Sequence, residues 1–116
     1  MKKPQKLNSI EESLVVLEQK RIPQEQVLFL SVILQAFLDA SKPESSNEPK
    51  EEALAREQAQ AWFFASVGVT AQDFFTVCDL AGIEPEYVKS FAVKVFKTKE
   101  VNYVRKRINA VLSNKD

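Results

Sequence analysis

Histidine is absent from the 116-residue chain, and with it go the commonest general base, the commonest zinc ligand and the usual activator of a nucleophilic thiol. Cysteine occurs once, as Cys78, so no internal disulfide can form, and the residue falls on the inward side of an expected helix as a buried, inert thiol. There are two glycines, Gly68 and Gly82, both placed where helices are expected to end, which excludes a glycine-rich phosphate loop. Carboxylate pairs remain, Glu51 with Glu52 and Asp73 with Asp79, but their spacing is that of solvated helix faces. No catalytic, cofactor or metal site is therefore expected, and the chain is read as a non-enzyme.

Long apolar runs are also missing. The longest uncharged one, Gln26 to Leu38, is too short to cross a bilayer, and the opening MKKPQKLNSI lacks the apolar segment of a signal peptide. A cytoplasmic protein without membrane contact is expected. Net charge is zero, yet residues 1–88 hold 8 Lys and Arg against 14 Asp and Glu (−6), and residues 89–116 hold 8 against 2 (+6). An acidic front and a basic back suit an anionic partner at the C-terminal third, or a head-to-tail contact between copies.

What is present is helical periodicity; repeats, sustained heptads and strand-period segments are not found. The length suits one domain. After a flexible tail (1–8), Ser9 and Glu12 form a capping box opening a short helix to about Lys20, with Ile10, Leu14 and Leu17 on one side. Arg21 to Pro23 breaks it. Gln24 to Ala40 is apolar around most of its circumference, as befits a central core helix that also serves a subunit contact or, over residues 27–38, a protein partner. Ser41 to Pro49 reads as a mobile linker. A helix from about Glu51 to Val67 follows, its Trp62, Phe63 and Phe64 assigned to the core rather than to a base-stacking platform.

The most informative stretch is DFFTVCDLAGIEPEYVKSF, within a unit spanning 71–97. Thr70 with Asp73 forms a capping box, Gly82 is the turn residue past the first helix, and Pro85 opens the second. Val77, Cys78 and Ala81 face inward before the turn; Ile83, Val88 and Phe91 do so after it. That is the spacing of a helix-turn-helix. The second helix, to Lys97, exposes Glu86, Lys89, Ser90, Lys94 and Lys97. Lys89, Ser90 and Lys94 are the expected groove and phosphate contacts, while Glu84 and Glu86 would be repelled by phosphate. A last helix, capped by Thr98 and spanning 99–112, buries Val101, Val104, Ile108, Val111 and Leu112. Its outer face carries Asn102, Arg105, Lys106 and Asn109, flanked by Tyr103 and Arg107, a composition suited to phosphate contact. Lys97, Lys99, Asn102, Arg105, Lys106 and Arg107 are the expected backbone contacts.

The combination of VILQAFLDA, AWFF and DFFTVCDLAGIEPEYV, spanning Val32 to Val88, resembles short, poorly characterised bacterial and prophage-type proteins of the alphaproteobacterial sort. The resemblance implies a bacterial or phage-derived origin and a role in DNA transactions, such as regulation or a small-terminase-like step; it carries over no catalytic residue. The expectation is thus an all-α single compact domain of about five helices with a helix-turn-helix-like unit near its C-terminus, binding DNA as a regulator and as a homodimer, because one unit offers little surface. The competing expectation is a protein-interaction or assembly module in which that unit is scaffold alone.

Overall fold

The computed structural model describes residues 4–97 and 101–113, with backbone only at 97 and 101. Among the described residues six helices, against about five expected, follow in order: α1 (Ile10–Glu18), α2 (Gln24–Ala40), α3 (Lys50–Phe64), α4 (Gly68–Ala81), α5 (Pro85–Lys97) and α6 (Val101–Ser113). Thr98 and Lys99, read as the start of the last helix, lie outside the described residues.

Local chemistry explains most of the boundaries. The Ser9 hydroxyl caps α1 by accepting from the Glu12 N–H at 3.0 Å, while the Glu12 carboxylate reaches back to the Asn8 N–H at 3.2 Å, one residue before the partner a strict capping box would use. The helix stops where Lys20 turns left-handed (φ 56°) and Arg21 N–H bonds back to the Val16 carbonyl at 3.1 Å. Pro23 and Pro49, both extended, precede α2 and α3, whose first turns carry Glu25 and Glu51 with Glu52, favourable at the positive end of a helix dipole.

The start of α4 departs from expectation. α3 ends at Phe64 because Ala65 is extended (φ −62°, ψ 133°), and Gly68 is the first residue of α4 rather than the terminator of α3. Thr70 consequently lies inside the helix, and no side chain caps Val67. The Asp73 carboxylate, assigned to a capping box with Thr70, instead accepts a 2.7 Å hydrogen bond from the Trp62 indole N–H and ties α4 to α3.

α2 is the central element, packing against α3, α4 and α6. Its Leu30, Ile33, Leu34 and Phe37 are buried in a core completed by Phe63, Phe74, Val88 and Ile108. Phe37 stacks on Phe63 with centroids 4.6 Å apart and meets the edge of Phe91 at 5.2 Å. Such aromatic pairs each contribute about 0.5–1.5 kcal/mol beyond the area they bury. Phe63 and Trp62 therefore belong to the core side, while Phe64 is 43% exposed. The radius of gyration, 14.1 Å, is that of one globule, against about 13 Å for a compact chain of 100 residues.

Two segments read as loose are packed. Ser41–Pro49 is held at both ends: Gln60 donates to the Ala40 carbonyl at 2.9 Å, Lys42 pairs with Glu52 at 2.9 Å, and the nearly buried Arg56 makes a two-pronged bond to Glu48 at 3.0 and 2.5 Å. The Arg56 hydrogen bond holds the Glu48 carboxyl below its ordinary range, and the same contact raises Arg56. The N-terminal segment, read as a flexible tail over 1–8, is docked from Pro4 onward. Leu7 is fully buried and forms a single parallel bridge with Ile83, donating its N–H to the Gly82 carbonyl at 2.6 Å.

Candidate nucleic-acid interface

The connection between α4 and α5 is three residues, Gly82 to Glu84. Gly82 takes φ 78°, ψ 24°, and two backbone bonds close the end of α4: Gly82 N–H to the Asp79 carbonyl at 3.2 Å and Ile83 N–H to the Cys78 carbonyl at 3.1 Å. This is a Schellman turn, with Ile83 folded inward as its apolar partner. Here the left-handed glycine is required twice over. Any Cβ at position 82 would overlap the Gln5 carbonyl oxygen and come within 2.8 Å of the Gln26 amide.

Gln26 makes that crowding productive. Fully buried on α2, its amide nitrogen donates to the Gln5 carbonyl at 2.6 Å and to the Ala81 carbonyl at 2.9 Å, and its oxygen accepts from the Gln5 N–H at 2.8 Å. One side chain thus pairs both backbone groups of Gln5 and the buried Ala81 carbonyl at the end of α4. Cys78 lies beneath, fully buried as expected; burial pushes its thiol up to about 12, against the opposing pull of Lys89, so it stays protonated at neutral pH.

The inward stripe of α5 is as expected: Val88 and Ala92 are fully buried, Val95 nearly so, and Phe91 and Phe96 pack against the core. Ser90 and Lys94 are exposed on the opposite side with Glu84, Glu86 and Tyr87. Tyr87, 45% exposed, stands three residues before Ser90 and seven before Lys94 on one edge of the helix, a spacing the sequence reading passed over. Lys89 leaves that edge. Its ammonium sits 5.5 and 5.3 Å from the ring centres of Phe74 and Phe75, a cation–π contact across to α4.

The expected basic helix divides likewise. Asn102 and Lys106 are exposed. Arg105 instead turns inward, its guanidinium donating to the Leu38 carbonyl and, at 2.8 Å, to the Ser41 hydroxyl, so that it caps the C-terminus of α2. Arg107 pairs with Glu18 of α1 at 3.6 Å. Both arginines thus join α6 to other helices: Arg105 places a cation at the carbonyl end of α2, and Arg107 pairs with a carboxylate of α1. Lys97 has no described side chain and Lys99 lies outside the described residues. Of the nine expected contacts, Ser90, Lys94, Asn102 and Lys106 are thus in solvent, and Lys89, Arg105 and Arg107 are engaged within the fold.

Among the described residues, no group of His, Cys, Asp and Glu is arranged to hold a metal ion, and no helix is long and apolar enough to cross a membrane. No protein-family model, curated protein or solved structure matches the chain.

Proposed function

We propose that the chain binds duplex DNA through α4 and α5, with α5 as the helix presented to the major groove. The observation that carries this reading is the Gly82 turn: it joins two helices over three residues, buries the inward stripe of both, and leaves the Tyr87, Ser90 and Lys94 edge of α5 in solvent. Ser90 and Tyr87 offer directed hydrogen bonds, Lys94 neutralises phosphate, and Lys106 with Asn102 on α6 extends the contact. Glu84 and Glu86 stand at the start of α5 and disfavour phosphate there, so the second half of the helix bears the charge contact. The reading extends to a homodimer acting as a regulator in a bacterial or phage-derived setting, since paired half-sites supply the surface that one unit lacks.

The test is fluorescence anisotropy of a labelled mixed-sequence duplex at low salt. Saturable binding that is lost in Tyr87→Ala/Ser90→Ala/Lys94→Ala, with the fold retained by circular dichroism, supports the reading. Absence of binding at low salt overturns it.

A further inference from the structure

A second surface lies away from α5. Between α2 and α3 runs an open groove of about 760 Å³, lined on its apolar side by Leu28, Val32, Ala36, Ala55, Ala59 and Trp62. Leu28 is 60% and Val32 41% exposed, so α2 leaves part of its apolar circumference uncovered. The alanines let another backbone approach closely. Leu28 to Asp39 spans about 17 Å of helix, the length of roughly three turns.

Charge specifies what fits. Four helices line the groove, α6 through Leu112. α2, α3 and α4 carry Glu25, Asp39, Glu51, Glu52, Glu57, Asp73 and Asp79 against Lys50 and Arg56, and of the three described cations on α6, Arg105 and Arg107 are bonded within the fold, which leaves Lys106. Arg56 is 7% exposed and bonded to Glu48, so it adds no outward charge. Asp39 and Asp73 line the groove directly. From this we propose that the groove docks an amphipathic helix of another protein, apolar on one face and rich in Lys and Arg on its flanks. A second copy of the chain is a poor occupant. A symmetric contact here would set two acidic faces together, and the chain's own basic helix, α6, already has Ile108 buried and Arg105 and Arg107 bonded within the fold. The proposal is independent of DNA binding, and its test involves no nucleic acid.

The experiment uses the full chain and a designed helical probe of about three turns, leucine on one face and lysine and arginine on the others, fluorescently labelled. Its controls are a sequence-scrambled peptide of the same composition and a version with every cation replaced by glutamate. Binding of the basic amphipathic probe alone is expected, weakened about tenfold or more by Leu28→Ser/Val32→Ser, whose residues are exposed and whose variant should fold. Asp39→Asn/Asp73→Asn should weaken it at low salt and lose that effect at high salt. No binding, equal binding of the scrambled peptide, or indifference to Leu28→Ser/Val32→Ser overturns the proposal. So does a dimer of the chain, seen by sedimentation, that Leu28→Ser/Val32→Ser abolishes.

Discussion

The two ends of α4 each carry a glycine with positive φ, Gly68 at 90° and Gly82 at 78°, yet they are held in opposite ways. At Gly68 nothing lies within 4 Å of where a Cβ would stand, no side chain caps the helix, and Val67 and Val69 are each 82% exposed. At Gly82 the N-terminal segment and α2 converge on the backbone, and Leu7 and Gln26 hydrogen-bond the Gly82 and Ala81 carbonyls. The first glycine is chosen by backbone geometry alone; the second by geometry and by contact. A turn built from one dihedral preference has no outside contact to hold it, whereas a turn held by two other segments fixes the angle between two helices. Only the second can define the presentation of α5.

Substituting both glycines separates the two causes. Gly82→Ala is expected to cost about 2–5 kcal/mol, combining about 1–2 for a left-handed alanine with about 1–3 for the overlap, measured by urea unfolding. The next effect belongs to the side chain that locks the turn. Gln26→Leu leaves the Gln5 N–H and two carbonyls without their partner and should cost about 1–3 kcal/mol, with faster labelling of Cys78 by a thiol reagent as the turn opens. Gly68→Ala should cost about 1–2 kcal/mol, since only the backbone term applies. A third left-handed residue sharpens the contrast with a change of sign. Lys20 holds φ 56° without being glycine, so Lys20→Gly is expected to raise stability by about 1 kcal/mol in the same unfolding measurement. Equal losses at Gly82 and Gly68 would show that contact adds nothing at the second turn.

Much of this was legible in residue order. The turn at Gly82, the inward stripe of α5 and the central place of α2 follow from periodicity and from glycine and proline chemistry, which act within a few residues. What residue order hid was long-range. Nothing near Leu7 announces that its backbone will pair with Ile83, and nothing near Gln26 announces a buried amide serving Gln5 and Ala81, because both depend on segments brought together by folding. For the same reason Asp73 read as a local cap and became the partner of Trp62. Arg105 and Arg107 were grouped with Lys106 by composition, yet one caps α2 and the other reaches Glu18; a run of cations does not reveal which members the rest of the fold will occupy.

That division among the cations gives the sharpest measurement. The salt dependence of duplex binding, read as the slope of log affinity against log salt concentration, should fall by about 1 in Lys94→Ala. In Arg105→Ala it should be unchanged, although that variant loses thermal stability because α2 loses its cap. An unchanged slope in Lys94→Ala, or a slope that falls in Arg105→Ala, would contradict the assignment of α5's outer edge as the DNA-contacting surface.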